Sequence, residues 1–264
     1  ATLVAITPAL ILPAVSLGWL AASARSSQSP MLGRHKLIRT SGVVSSFREV
    51  WGLARDDAVR TVLLAAAAAT LATIGAIALA RLTSRVGWGP VLGVLGAGAA
   101  VPSPVVGLGL IALWNRGAGT AVYQSSAIVL LAWLARFFPV AVFLAQGALA
   151  RVPRELEDAA ALAGRGPVGR FLAVVLPNAA PGLVAAWLAV YVLSATEIGA
   201  TVLISPPGEP FLAPSVMNFM RRGQDPEIVA CQVLLLAAIA SPPALLALVM
   251  ILRPRFGPVA KGSP

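Results

Sequence analysis

Long apolar runs separated by short polar segments make up most of the chain. A helix that crosses a lipid bilayer needs about 20 consecutive apolar residues, and six runs meet that requirement. They lie at 3–22, 58–80, 88–114, 121–150, 179–204 and 229–252. The pattern therefore predicts an all-α polytopic membrane protein in which residues 1–264 form a single transmembrane domain.

The composition points to the same class. Hydrophobic residues make up 58% of the chain and charged residues 11%, and a water-soluble domain of this length cannot hide so much apolar surface. The formal net charge is +10, but the Lys and Arg residues lie in short segments between the apolar runs, where lipid headgroups attract them. We therefore expect a lipid bilayer, and no nucleic acid, as the partner of these charges.

Few residues are available for catalysis or for binding a metal. The chain has one cysteine, Cys231, and one histidine, His35, which excludes a disulfide framework or a Cys/His metal cluster within it. It also lacks the G-x-x-x-x-G-K-[ST] loop that binds nucleotide phosphates. We therefore predict no catalytic residue, no metal site and no cofactor, so any energy from ATP has to come from a partner.

The first apolar run permits two interpretations. Ala22-Ser23-Ala24 resembles the cleavage site of a signal peptide. No basic segment precedes the run, however, and the run is long for a signal peptide. We interpret residues 3–22 as a retained span.

The polar connections between the runs carry little information about orientation. Lys and Arg residues are almost evenly divided between the two sides of a six-span topology, so the positive-inside rule does not choose between the two orientations. Two of these connections are predicted to contain short helices, an interfacial helix at Phe47–Ala54 and a surface helix at Phe211–Arg222.

The third run is predicted to be broken in the middle. Several glycines precede Pro102-Ser103-Pro104, and proline removes a backbone donor from a helix. Irregular backbone at membrane depth is tolerated where it is buried in protein or lines a water-filled cavity. Pro102, Ser103 and Pro104 are therefore candidates for the lining of a solute pathway. Close helix packing through the glycines, with a passive kink at the prolines, is the alternative.

Two charged residues lie well inside the predicted spans, Glu197 in the fifth and Arg136 in the fourth. A carrier driven by protons or sodium commonly needs several buried acidic or histidine residues. The pattern therefore favours a conduit that is driven from outside the bilayer, with Arg136 and Glu197 as further pathway candidates. We predict that the two form an ion pair, and the alternative is that each faces water alone.

One polar loop, residues 151–178, separates the fourth and fifth runs. Pro153 and the acidic residues after it fit the first turn of a helix. Gly164-Arg165-Gly166-Pro167 predicts a tight corner, because glycine adopts the left-handed cap conformation and proline can begin the next helix. The polar loop is therefore predicted to form a short helix, a corner and a second short helix that Pro177 ends.

The same loop resembles the EAA loop of permease subunits of binding-protein-dependent ABC importers. That family pattern reads E-A-A, three residues, G, nine residues, I, one residue, L-P. The matching residues are Asp158-Ala159-Ala160, Gly164, Val174 and Leu176-Pro177. The spacing agrees throughout, with Asp158 and Val174 as conservative departures from Glu and Ile.

The resemblance implies a MetI-like, six-helix permease of a type I ABC importer in the bacterial inner membrane. The implied partners are a cytoplasmic ABC ATPase dimer, an extracytoplasmic solute-binding protein and a second permease copy or a similar half. The polar loop is then cytoplasmic, and 23–57 and 205–228 are external. The residues implied to couple to the ATPase are Glu157, Asp158, Ala159, Ala160, Gly164, Arg165, Leu176 and Pro177.

A second resemblance concerns the solute. The runs VPSPVVGLGL and TEIGAT, with Pro206-Pro207-Gly208 and Met217-Asn218, are most similar to permeases for ferric iron. Permeases for polyamines, thiamine, phosphonates, sulfate or molybdate share much of this pattern and are the alternatives. A secondary carrier or a multi-pass membrane enzyme is the other functional class considered, although it would need a cluster of polar residues that the runs lack.

Overall fold

The computed structural model describes residues 43–83, 89–222 and 231–242. In these segments the ordered elements are helical and no strand is present, which confirms the all-α prediction. The predicted first span, 3–22, lies outside the described residues, and only part of the sixth lies within them.

The helices follow one another with short connections. In chain order they are α1 (Val43–Thr83), α2 (Gly89–Ala99), α3 (Ser103–Trp114), α4 (Thr120–Tyr123), α5 (Ala127–Leu149), α6 (Arg154–Leu162), α7 (Pro167–Arg170), α8 (Leu176–Ala195), α9 (Thr201–Ile204), α10 (Leu212–Arg222) and α11 (Cys231–Pro242). A π-helical segment, Phe171–Val175, joins α7 to α8.

Three helical stretches are long and apolar enough to cross a membrane within the described part of the chain: Ala54–Thr83, Ala127–Leu149 and Pro167–Ala195. The helices α2 and α3 meet the same test only as a pair, bent by 97° at the break between them. The structure therefore has the apolar helices of a polytopic membrane protein, and the predicted break in the third span is present.

Small side chains bring the long helices together. The helix α1 places a stripe of fully buried alanines against α5 and α8, because Ala65, Ala68, Ala72 and Ala76 recur at three- and four-residue intervals on one helical face. Small residues let helix backbones approach closely where lipid provides no hydrophobic drive for association. The alanine-rich second run thus forms the centre of the bundle.

Three of the helix boundaries predicted from the sequence were wrong. Phe47–Ala54 is not a separate interfacial helix but part of α1, because the single Gly52 in that stretch lowers helix stability by only about 1 kcal/mol. The predicted fourth span, 121–150, turns at 124–126 and divides into α4 and α5. The predicted fifth span, 179–204, breaks after Ala195 and resumes at α9.

The predicted helix at Phe211–Arg222 is present as α10, but the prediction that it lies on the surface was wrong. Its first turns are buried against α1 and α11, with Leu212, Val216 and Cys231 in one apolar cluster. The helix packs its apolar residues into the bundle, because Leu212 and Val216 contact apolar side chains of α1 and α11.

Candidate functional site

The first arm of the polar loop is the helix α6. Pro153 precedes it, and Glu155 and Glu157 lie in its first turn, where carboxylates stabilise the positive end of the helix. Gly164 ends it with φ of 79°. The N–H of Arg165 donates to the carbonyl of Ala160 at 3.1 Å and that of Gly164 to Ala161 at 2.9 Å, which is a Schellman cap. Glycine takes this backbone conformation without the strain that a Cβ adds.

The second arm differs from the sequence prediction. Pro167 begins α7, but Pro177 does not end the arm, because the chain continues as a helix through the π-helical segment 171–175 into α8. Proline lacks a backbone N–H and clashes with the carbonyl one turn before it. The wider π turn, closed by the N–H of Leu176 on the carbonyl of Phe171, accommodates Pro177 in the first turn of α8.

The two faces of α6 have different surroundings. Ala160 is buried and Glu157 is half-buried, so this face packs on the chain itself. Asp158 and Ala159 are exposed, and the side chain of Leu162 is 91% exposed. Leu162 lies four residues after Asp158 and three after Ala159, so its side chain neighbours both of them on the helix surface. The predicted coupling set is thus divided, with Glu157 and Ala160 turned inward and Asp158 and Ala159 outward.

The remaining predicted coupling residues lie at the corner and at the start of α8. Arg165 is exposed next to Gly164, Leu176 is half-buried and Pro177 is exposed. We call the outward set Asp158, Ala159, Leu162 and Arg165 the docking face. Leu162 was not singled out from the sequence, because it is one of two leucines in α6 and the local pattern does not show which face either of them occupies.

Arg81, at the end of α1, connects the polar loop to the bundle. Its Nη1 lies 3.6 Å from Oε2 of Glu157, and its Cζ lies 4.5 Å from the centre of the Phe171 ring. One guanidinium therefore contacts both arms of the polar loop. Sequence reasoning missed this role, because Arg81 is far from residues 157 and 171 along the chain and reads simply as the end of a span.

The buried carboxylate of Glu197 joins the breaks in the two discontinuous spans. It accepts hydrogen bonds from the Ser103 hydroxyl, from the N–H of Ala200 at 3.0 Å, and from the N–H and hydroxyl of Thr201 at 2.9 and 2.6 Å. Trp133 of α5 donates to the same Thr201 hydroxyl at 3.0 Å. The start of α3 and the start of α9 therefore meet at this carboxylate, and Trp133 links α5 to it through Thr201.

Gly199 allows this approach. A Cβ at Gly199 would stand 2.9 Å from Oγ and 3.0 Å from Cβ of Ser103, closer than side-chain atoms normally pack. The absence of a side chain there lets the two breaks lie against each other.

The predicted ion pair between Arg136 and Glu197 was wrong. Nη1 of Arg136 donates instead to the carbonyl of Val101 at 2.7 Å, and no ion pair joins it to Glu197. The break after α2 leaves carbonyl groups without helical partners, and the guanidinium satisfies one of them. The Glu197 carboxylate accepts hydrogen bonds from four donor groups, which stabilise its charge without a cation. Pro102 and Pro104 flank Ser103 and are exposed.

Residues 209–216, which we call the inserted segment, pack between α1 and α5. On the α1 side, Ser215 donates to Asp57 at 2.7 Å, Thr61 accepts the N–H of Leu212 at 3.0 Å, and Arg60 donates to the carbonyl of Pro210 at 3.1 Å. On the α5 side, the Ser126 hydroxyl donates a hydrogen bond to the Glu209 carboxylate at 2.5 Å. The rings of Phe211 and Trp133 pack edge to face, with their centres 5.8 Å apart.

Comparison with known proteins gives two groups of relatives. The chain is 29% identical over 199 residues to the putrescine transport system permease protein PotI of Escherichia coli K12, covering 71% of each chain. It is 30% identical over 141 residues to the putative 2-aminoethylphosphonate transport system permease protein PhnV of Salmonella paratyphi A, covering 52% of each. Both relatives are transport permeases. No family model matches the chain.

These similarities support a permease of the ABC importer type, in agreement with the resemblance of the polar loop. Together with the apolar helices they place the chain in the bacterial inner membrane. The names of these relatives mention putrescine and 2-aminoethylphosphonate as the transported compounds. Neither name supports ferric iron as the solute.

Proposed function

We propose that the chain is the membrane-spanning subunit of an importer whose energy comes from a separate cytoplasmic ATPase bound to the docking face. The observation that carries this proposal is the exposure of Leu162 on a polar, charged loop. A leucine side chain left in water forgoes about 1.5–3 kcal/mol of burial energy. Its neighbours Asp158 and Arg165 keep it out of the hydrocarbon, so a protein partner is the surface that covers it.

The shape of the polar loop supports docking of a folded partner. Ala160 and Glu157 fix one face of α6 on the chain, and the cap at Gly164 fixes the direction of the second arm. The opposite face therefore presents small and apolar side chains ringed by charge, which resembles the apolar centre and polar rim of a protein interface. The polar loop is cytoplasmic in this proposal, because the ATPase that binds it uses the ATP of the cytoplasm.

The other partners follow from the same class of transporter. A solute-binding protein delivers solute on the external side, and a second permease copy or a similar half completes the pathway. The helix α3 presents an exposed apolar face, with Val105, Leu108 and Leu113 each more than half exposed. Lipid or the second permease is the surface that covers such a face within the membrane.

The pathway is proposed to run beside the two helix breaks. Broken spans at membrane depth line cavities in transporters, and here the exposed Pro102 and Pro104 lie next to the Ser103–Glu197 contact. Arg136 is half-buried at the same break. Glu197 is 7% exposed with its acceptors occupied, so we assign it to holding the breaks together and not to binding solute.

The solute is proposed to be a small aliphatic amine. The names of both groups of relatives give such a compound, a diamine in one and an aminophosphonate in the other. Ferric iron, which the runs around Pro102 and Glu197 suggest by resemblance, is the second candidate.

Reconstituted uptake tests both parts of this proposal. The chain, its partner permease, the ATPase and the binding protein are placed in vesicles, and uptake of labelled putrescine, 2-aminoethylphosphonate and ferric iron is measured with and without ATP. We expect ATP-dependent accumulation of one of the amines. Accumulation driven by a proton or sodium gradient without ATP would contradict the importer class, and ATP-dependent uptake of iron alone would contradict the amine.

A further inference from the structure

The helix α1 contacts the polar loop near its C-terminal end, at Arg81, and the inserted segment further back along the helix, at Asp57 and Thr61. We propose that α1 is a rod that carries movement of the polar loop to the inserted segment across the membrane, with Arg81 as the positioning residue at its inner end. This inference rests on the proposed function, because it supposes that an ATPase moves the polar loop.

The inner joint is centred on one side chain, that of Arg81. Arg81 is the basic residue of the last turn of α1, and it contacts Glu157 of α6 and the ring of Phe171 in the π-helical segment. A planar guanidinium can pair with a carboxylate and lie over an aromatic ring at once. Because the two arms are held by the same group, displacement of either arm pulls on α1. The pair is also partly exposed, with 39% and 31% of the two side chains accessible, so it contributes little to overall stability.

The outer joint uses three side chains on one face of α1. Asp57, Arg60 and Thr61 stand three and four residues apart, which places them side by side. Each bonds to a different residue of the inserted segment, and Asp57, Thr61 and their partner Ser215 are buried. Thr61 accepts an N–H in the first turn of α10, which has no partner within that helix. The inserted segment is thereby attached to α1 through its backbone as well as its side chains.

The two joints belong to one continuous helix of 41 residues. At 1.5 Å per residue, the 20 residues from Thr61 to Arg81 span about 30 Å, which is the thickness of the hydrocarbon. Alanines form the buried stripe between the joints, and sliding of packed helices is one of the common ways in which domains move. A helix that slides as a unit moves both joints together.

The experiment follows the inserted segment while the inner joint is altered. Ala213, which is 2% exposed in the inserted segment, is changed to cysteine in a Cys231→Ser background. The complete transporter is placed in nanodiscs, and the rate of labelling by a maleimide is measured without nucleotide and after trapping with ATP and vanadate. Arg81→Ala removes the inner joint. Arg151→Ala, an exposed arginine of the same polar loop, is the matched control.

We expect trapping to change the labelling rate about fivefold or more, the size of an ordinary coupling between sites. Arg81→Ala should abolish this difference while the ATPase stays bound, and Arg151→Ala should retain it. If Arg81→Ala lowers the amount of transporter, the Arg81→Lys variant is used in its place. Lysine keeps the charge but loses the planar contact with Phe171. We expect Arg81→Lys to reduce the difference in labelling rate between the trapped and nucleotide-free states.

Two results would overturn the inference. One is an Arg81→Ala transporter, or its Lys substitute, that keeps the wild-type difference. The other is a wild-type transporter that takes up solute with ATP but shows no change in labelling at Ala213→Cys. A wild-type chain that neither binds the ATPase nor supports uptake would instead overturn the proposed function, so the two failures are distinguishable.

Discussion

Replacing Gly164 with valine is expected to abolish solute uptake without lowering the amount of the protein in the membrane. The φ of Gly164 is 79° and no atom lies within 4 Å of a Cβ built there, so the effect comes from backbone strain and not from a clash. A residue with a Cβ is strained by about 1–2 kcal/mol in this conformation, and a β-branched one by more. The corner should therefore open and misplace the second arm.

The charge on the docking face gives a second, independent change. Asp158→Lys reverses the charge of the exposed acid on α6 and should weaken binding of the ATPase, because like charges at an interface are repelled and complementary ones select the partner. Both changes lie outside the spans, so the bundle should still insert. Uptake and co-purification of the ATPase are measured for each variant and for the two combined.

Gly166 is the matched control for the corner. It lies two residues away, its φ is −65°, and a Cβ there also meets nothing within 4 Å. Gly166→Val should therefore keep uptake. If it lost uptake as fully as Gly164→Val, the left-handed cap would not be the cause. If Gly164→Val combined with Asp158→Lys kept wild-type uptake and ATPase binding, the polar loop would not be a coupling element.

Replacing Glu197 with leucine is expected to lower the apparent melting temperature of the purified protein by about 5 °C or more. The substitution removes the acceptor of the buried Thr201 N–H and of two hydroxyls, and each buried donor left without an acceptor costs about 1–3 kcal/mol. The two breaks would then lose the group that joins them, so uptake should fall as well.

Replacing Glu197 with glutamine is expected to lower the melting temperature less than leucine does. Its amide oxygen can still accept from Thr201, and its NH₂ group can donate to the Ser103 hydroxyl, since a hydroxyl both donates and accepts. Asp56→Leu, at an exposed acid of α1, is the control and should melt with the wild type. A Glu197→Leu protein that also melts with the wild type would show that the carboxylate does not hold the breaks together.

The sequence predicts the local features of this fold better than its contacts. Apolar runs are sufficient to locate α1, α5 and α8, and the combination of acidic residues, Gly164 and Pro167 is sufficient to locate the corner, because helix ends depend on nearby residues. The break at Pro102 is predicted for the same reason.

The contacts between distant elements could not be predicted in this way. Arg136 was expected to bind Glu197, because each charged side chain is costly alone in a membrane. Instead, the Arg136 guanidinium donates to the carbonyl of Val101 at the break, and the Glu197 carboxylate accepts from four neutral donors. Arg81 and Glu157 gave no local signal of their contact. The burial of α10 likewise depends on α1 and α11, which the pattern of one segment does not reveal.

Cross-linking from Leu162 tests the central claim most directly. Leu162→Cys in the Cys231→Ser background is coupled to a photo-activated maleimide in membranes that contain the whole transporter, and the products are identified by mass spectrometry. Leu113→Cys, on an apolar side chain that is 69% exposed on α3, is treated identically. We predict an adduct between residue 162 and the ATPase subunit, and none from residue 113. Labelling of residue 162 by an impermeant reagent added outside intact cells, or ATP-dependent uptake with no ATPase adduct at residue 162, would contradict the account.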